Sequence, residues 1–194
     1  IRCFTITETN KIFNGNAQTP TCMFLMEKVP QTGTVSLFNK QSGCYKTYKF
    51  DYTKGSSIPL CGSSIVQAMN LFVELYGCIK VNKTNMPRKG ISLSLTLDDK
   101  HIYPAIHTCK LVNKNQPMLE KRYSNIPCAF YGVKKIVMAH KMYGFPYFDR
   151  NGTYGISNRD SYIIHDSSYS DEDYKRLVCF LSSKLILYLF ETTR

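Results

Sequence analysis

Short runs rich in Thr, Val, Phe and Tyr recur along the chain and constrain its fold more than any other feature. β-branched and aromatic residues favour strands, and Gly or Asn-Gly favours the turns between them. In the first third, Asn14-Gly15, Gly33 and Gly43 separate such runs. The pattern predicts strands at residues 3–7, 21–28, 35–38, 45–52, 79–82, 91–96, 102–106, 135–139 and 161–164.

Two other segments carry the apolar period and the end signals of helices. Ser64 and Gln67 form a capping box, and Gly77 follows the last apolar residue of that stretch. Ser170 and Asp173 can cap the second helix, whose apolar positions recur at helical spacing as far as residue 188. We therefore expect a capped mid-chain helix at residues 64–76 and a C-terminal helix.

A tight turn is predicted at Asp149-Arg150-Asn151-Gly152, because Asn-Gly suits the positive φ angles of hairpin turns. We expect it to lie between the strands at residues 135–139 and 161–164. Together these elements predict a mixed, strand-rich α+β fold. We place it in a single compact domain over residues 1–194.

The balance of charges is strongly basic. The chain has 25 Lys and Arg against 14 Asp and Glu, a formal net charge of +11 and a pI near 9.3. Such a composition attracts polyanions, of which nucleic acid is one. The alternatives are a solvated basic face, or a surface that docks an acidic domain.

No segment shows a complete catalytic motif. The four histidines are not spaced as metal ligands, and neither a phosphate-binding loop nor a nucleophile elbow is present. Asp98, Asp99 and Lys100 would suit a magnesium-dependent nuclease, but such a cluster is commonplace where a strand ends in a turn. We therefore predict no catalytic residue and no metal site in this chain.

Two basic segments instead suit a nucleic-acid surface. Lys and Arg neutralise phosphates, and Asn can read adenine. The alternative for the first segment is an ordinary solvated loop, and the aromatic residues at 143–148 are expected mainly to cover a core. The predicted DNA-binding residues are Lys80, Lys83, Asn85, Arg88, Lys89, His140, Lys141, Asn158 and Arg159.

The cysteines and the apolar runs of the chain indicate in which cellular compartment we expect the protein. Eight cysteines are scattered without a Cys-x-x-Cys pair, which favours buried free thiols in a reducing, intracellular compartment. The longest apolar stretch, residues 185–190, is far shorter than the ~20 residues of a membrane span. We expect no membrane partner. Since the chain starts at Ile1 and stops within an apolar helical pattern, we also expect it to be a fragment of a larger protein.

The order of several segments resembles a known family. The run from Lys134 to Asp160, which includes Tyr147-Phe148-Asp149-Arg150-Asn151-Gly152, is followed by Phe180-Leu181-Ser182-Ser183-Lys184-Leu185. This order resembles the C-terminal target-recognition region of type II N6-adenine-specific DNA methyltransferases and restriction-modification enzymes, of the kind found in large DNA viruses. The likeness extends from about Ile12 to Arg194, and residues 1–30 would be the tail of the methyltransferase domain.

The resemblance implies a two-part protein, in which a Rossmann-like domain binds S-adenosylmethionine and methylates a flipped adenine. The chain departs from the family because it has no Asn-Pro-Pro-Tyr-type motif and no Gly-rich cofactor loop. The implied task is therefore binding of double-stranded DNA beside a missing N-terminal catalytic domain, with no cofactor in this fragment. The host cytoplasm or nucleus would be its location if it is viral. A structural or interaction protein that reuses this fold, such as a virus-particle component, is the alternative.

Overall fold

The computed structural model describes residues 1–4, 6–16, 21–28, 30, 33–39, 42–49, 64–113, 116–140 and 144–187. The chain divides into two compact units, one whose described part lies within Ile1–Cys78 and a second at Ile79–Leu187. The mixed, strand-rich α+β class predicted from the sequence is confirmed. The single domain over residues 1–194 stays a prediction.

In its described residues, the first unit contains two antiparallel strand pairs and two helices. β1 pairs with β2, and β3 pairs with β4. The predicted strand at residues 3–7 is wrong in its second half, where a helix begins whose acidic first turn and basic last turn suit the helix dipole. The elements are β1 (Arg2–Phe4), α1 (Ile6–Ile12), β2 (Thr21–Met23), β3 (Thr34–Asn39), β4 (Cys44–Lys49) and α2 (Ser64–Tyr76).

Two sequence signals of the first unit form as predicted. Gly43 turns β3 into β4 with a φ angle of +65°, and its N–H donates to the Asn39 carbonyl oxygen at 2.9 Å. Helix α2 has the predicted bounds, and the Gly77 N–H closes it on the Val73 carbonyl oxygen at 2.8 Å. The side chains of the predicted capping box at its start lie outside the described residues.

The second unit has two four-stranded sheets and a helix in its described residues. One sheet has the order β10-β9-β12-β5 and the other the order β11-β7-β8-β6. The long hairpin of β7 and β8 was predicted only at its first residues. The elements are β5 (Asn82–Lys83), β6 (Leu93–Ser94), β7 (Tyr103–Asn113), β8 (Gln116–Ser124), β9 (Lys135–Ala139), β10 (Tyr147–Asp149), β11 (Gly155–Ile156), β12 (Ser161–Ile164) and α3 (Asp171–Leu181).

Strands β9 and β12 are covered on both faces, by the other sheet on one side and by α3 on the other. Successive side chains of a strand point to opposite faces of its sheet. Ile163 and its cross-strand partner Val137 pack with Ile106 of the other sheet. Ile164 and its partner Ile136 pack with Tyr174 of α3. The sheet of β9 and β12 is therefore the central layer of the unit.

Helix α3 begins as its sequence predicts but ends earlier. The Asp173 N–H donates to Ser170 Oγ at 3.2 Å, and the Ser170 N–H donates to the Asp173 carboxylate at 2.9 Å. The helix ends at Leu181, and residues 184–187 form a separate helical turn after Ser183, whose hydroxyl accepts the Ile186 N–H at 3.4 Å. Serine side chains compete with the helix for backbone donors, which explains the break that apolar spacing does not show.

The predicted turn at residues 149–152 forms, but it does not join β9 to β12. It follows β10 and leads to β11 in the other sheet. Asp149, which is buried, accepts the N–H groups of Thr153 and Tyr154 at 2.9 Å each and pairs with the buried Lys135 at 2.6 Å. The turn therefore depends on a buried ion pair as well as on Asn151-Gly152.

The cysteine prediction is confirmed in part. The six described cysteines whose side chains are placed are free thiols. Cys109 and Cys128 are buried, as expected, and burial raises the pKa of the Cys109 thiol to about 12. The prediction of burial is wrong for the exposed thiols, which are Cys22, Cys44, Cys78 and Cys179.

Candidate nucleic-acid interface

The start of β12 brings together three segments that are far apart in sequence. Tyr162 pairs with Lys83 on one side, and Ser161 pairs with Ala139 on the other. The His140 N–H donates to the Asp160 carbonyl oxygen at 2.8 Å, one residue beyond that pairing. Lys83, His140 and residues 158–160 therefore lie at one end of the central sheet. We call this arrangement the β12-start cluster.

Thr84 fastens the basic loop at residues 83–90 to this cluster. Its side chain is buried, and its hydroxyl lies 2.7 Å from the Asn158 carbonyl oxygen. The Thr84 hydroxyl also accepts the Ser161 N–H at 3.2 Å, and the Thr84 N–H donates to the Ser161 carbonyl oxygen at 3.0 Å. The Asn158 amide oxygen accepts the Asp160 N–H at 3.1 Å, which holds the adjoining turn. The loop is thus positioned by buried hydrogen bonds.

An aromatic pair belongs to the same cluster. The rings of His140 and Tyr162 have centroids 5.1 Å apart and an interplanar angle of 42°. Cross-strand partners project from the same face of a sheet, so Lys83 lies on the face of Tyr162. An imidazole, a phenol and an ammonium group therefore share one surface.

Five of the predicted contact residues are cations that are not neutralised within the described part of the chain. Lys80, Lys83, Arg88, Lys89 and Arg159 are all exposed, and none has a carboxylate within 4.0 Å there. Exposed ammonium and guanidinium groups without a counter-charge favour binding of an anion.

Three other cations of the second unit have a different role. Lys134 and Arg150 both pair with Asp171, the Lys134 contact measuring 2.6 Å, and Lys135 pairs with Asp149. The hydrogen bond from Lys134 is the main cause that lowers the pKa of Asp171. These cations hold α3 and the turn after β10 in place, so they contribute little to an external anion site.

Not all predicted contact residues belong to the β12-start cluster. Arg88 and Lys89 lie in a turn that Asn125 holds, because the Asn125 amide donates to the Gly90 carbonyl oxygen at 3.1 Å and accepts the Ser92 N–H at 2.8 Å. That turn adjoins the other sheet, at β6 and β8. Lys80 precedes β5 and Asn85 follows Thr84, and both are exposed. Lys141 lies outside the described residues.

The expectation that the aromatic segment mainly covers a core is confirmed for three of its members. Phe145 and Tyr147 pack against the apolar cluster between the sheets. Phe148 stacks on Tyr174 of α3, with centroids 5.0 Å apart. Sequence reasoning missed Tyr162 and the buried role of Thr84, because both depend on the pairing of β5 with β12, which the local pattern does not reveal.

The Asp98-Asp99-Lys100 segment, considered above as a nuclease site, forms a turn. The Asp98 carboxylate accepts the N–H groups of Lys100 and His101 and also contacts the His101 ring. No group of three or more His, Cys, Asp or Glu side chains in the described residues is arranged to hold a metal ion. Sequence reasoning also missed that His101 contacts Ser92, since the two residues lie on either side of β6.

The chain matches no protein-family model, no curated protein and no solved structure. The resemblance to the target-recognition regions of adenine methyltransferases therefore stays a hypothesis. In the part of the chain that the structure describes, no helix has both the length and the apolar character needed to cross a bilayer.

Proposed function

We propose that the second unit binds double-stranded DNA, as the target-recognition domain of an adenine-specific DNA methyltransferase or restriction-modification protein. The observation that carries the proposal is the β12-start cluster, where Lys83 and Arg159 flank the buried Thr84 anchor without neutralising carboxylates in the described residues. Phosphate contacts supply most of the affinity of a DNA-binding protein. Exposed cations on a fixed scaffold meet that requirement.

The residues divide by chemistry into two groups. Lys80, Lys83, Arg88, Lys89 and Arg159 contact phosphates, as do Lys141 and His140, the latter directly after β9. Asn85 and Asn158 carry amides suited to base edges, adenine in particular. The unit positions and reads DNA, and a catalytic domain elsewhere in a longer protein would bind S-adenosylmethionine and transfer the methyl group. The free thiols favour a reducing compartment of the cell for this task.

Salt-dependent binding to a labelled DNA duplex tests the proposal. Fluorescence anisotropy titrations of the full chain between about 50 and 200 mM salt should give a linear fall of log K with log salt, with a slope of about −0.9 for each phosphate contact. The double variant Lys83→Gln/Arg159→Gln should bind more weakly and reduce that slope by about 1.8, because two contacts are removed.

Lys175→Gln is the matched control, because Lys175 is an exposed cation on α3 outside the cluster. It changes the net charge but should leave the slope within experimental error. Absence of duplex binding at low salt, or an equal change of slope in the double variant and in Lys175→Gln, would refute specific use of the β12-start cluster. Co-purification with an acidic protein in place of DNA would favour the structural or interaction role.

A further inference from the structure

Ser92, His101 and Asp98 form a continuous chain of side-chain hydrogen bonds. Ser92 Oγ lies 2.9 Å from His101 Nε2, and His101 Nδ1 lies 2.9 Å from both carboxylate oxygens of Asp98. These residues lie on the segment from the start of β6 to the start of β7. A hydroxyl, an imidazole and a carboxylate in this order can activate a nucleophile, whatever the fold that carries them.

The local backbone fixes each member of this array. The Asp98 carboxylate accepts the Lys100 N–H at 2.9 Å and the His101 N–H at 2.8 Å, and these bonds hold the turn that aims the ring. Ser92 is held by Asn125, whose amide oxygen accepts the Ser92 N–H at 2.8 Å. The His101 side chain is 19% exposed and the Asp98 side chain 47%, so a small molecule can reach the array.

The carboxylate determines how His101 acts on Ser92. The hydrogen bond from the His101 side chain is the main cause that lowers the pKa of Asp98, which is therefore ionised at neutral pH. An ionised carboxylate on Nδ1 favours the tautomer that carries its proton there. The Nε2 lone pair then faces the Ser92 hydroxyl and can accept its proton.

We propose that Ser92 is an activated nucleophile that attacks uncharged carboxylic esters. Ser92 Oγ forms a bond to the ester carbonyl carbon while His101 Nε2 takes the hydroxyl proton. The bond from that carbon to the alkoxy or aryloxy oxygen breaks, and the leaving group receives the proton from His101. Water, deprotonated by the same imidazole, then attacks the acyl-serine, releases the carboxylic acid and restores the Ser92 hydroxyl.

The surroundings limit both the rate and the substrate. The Ser92 N–H already donates to Asn125, so it does not stabilise the oxyanion as the nucleophile's own amide does in a serine hydrolase. The array therefore contributes the general-base part of catalysis, on the order of 10²–10⁴-fold. Aryl esters, which have good leaving groups, are the expected class. Exposed apolar side chains adjoin the array residues in sequence at Leu93, Leu97 and Ile102, and they suit an uncharged ester.

Hydrolysis of p-nitrophenyl acetate by the full chain tests the proposal. The wild type should release a burst of p-nitrophenol of up to one equivalent and then turn over. Ser92→Ala and His101→Gln should each lower the rate by at least about tenfold, since each removes the general-base step. Ser168→Ala should match the wild type, because the Ser168 hydroxyl contacts the Asp166 carboxylate at 2.7 Å without a histidine.

A covalent probe gives a readout that does not depend on the variants. A fluorophosphonate should label the wild type at Ser92, as located by mass spectrometry of tryptic peptides. An undiminished rate in Ser92→Ala would show that another group of the chain hydrolyses the ester, and it would overturn the proposal. Labelling of another serine, or no labelling at all, would overturn it equally.

Discussion

Removal of the charge of Asp149 should strongly destabilise the second unit. The Lys135 and Asp149 side chains are 0% and 2% exposed, and their charged atoms lie 2.6 Å apart. The Lys135 ammonium also donates to the carbonyl oxygens of Val133 at 3.0 Å and Tyr154 at 2.6 Å. Asp149→Asn leaves these contacts in place but leaves the buried ammonium without its counter-charge. Loss of one partner of a buried pair costs about 3–5 kcal/mol in the free energy of unfolding.

Urea denaturation followed by far-UV circular dichroism measures this loss, since the chain contains no Trp to report by fluorescence. The second unit can be followed separately through hydrogen exchange of the β9 amides. Glu172→Gln is the control, because its partner Arg176 is 3.7 Å away and the two side chains are 61% and 74% exposed. An exposed pair of this kind contributes only about 0–1 kcal/mol.

A double variant separates the buried charge from the lost hydrogen bonds. Lys135→Met/Asp149→Asn removes the ammonium as well, so it should recover part of the stability lost in Asp149→Asn. Two results would refute the reasoning that the uncompensated charge dominates. One is a fall of less than about 1 kcal/mol in the free energy of unfolding of Asp149→Asn. The other is a double variant that is less stable than Asp149→Asn.

Three further predictions concern single residues. Gly152→Ala should destabilise the second unit more than Gly90→Ala, as measured by the midpoints of urea denaturation. Both glycines have positive φ, but a Cβ at Gly152 would lie 2.5 Å from backbone atoms, whereas a Cβ at Gly90 would meet open space. Cys109 should stay unmodified by iodoacetamide in the folded protein while the exposed Cys179 reacts, because burial raises the pKa of the Cys109 thiol to about 12. Peptide mass spectrometry distinguishes the two cysteines, and equal modification of both would contradict the burial of Cys109. The pKa of Asp171 is lowered below 3.8, so the ionised carboxylate stabilises the fold above pH 3.8, and this stabilisation is lost as pH falls through the folded-state pKa. Asp171→Asn should therefore flatten the acid unfolding curve in that range. An unchanged curve would contradict the pairing of Asp171 with Lys134 and Arg150.

The sequence predicted best those elements whose signals are local. Helix α2 and strands β9 and β12 have the predicted bounds, because apolar period, capping residues and β-branched runs act within a few residues. Helix α1 and strand β8 were missed. Strand β8 is rich in charged and polar residues and has little strand propensity, so it depends on pairing with β7 along its length.

The sequence predicted which types of residue the candidate site contains, but not how they are arranged. Exposed cations and amides were recognisable by residue type, but the proximity of Lys83, His140 and Asn158 depends on the non-local pairing around β12. The contact of Ser92 with His101 likewise depends on the turn at residues 98–101, and the local sequence pattern does not predict that contact. Short-range patterns carry little information on such long-range pairing.

The basic loop after β5 is fixed at both of its ends. Thr84 ties it to β12, and Gly90 is held through Asn125 beside the other sheet. Pro87 restricts the backbone between these anchors. An unanchored loop would lose about 1–2 kcal/mol of backbone conformational entropy per residue on binding a ligand. Here part of that loss occurs when the chain folds, so the proposed binding by Asn85, Arg88 and Lys89 would carry a smaller entropic penalty.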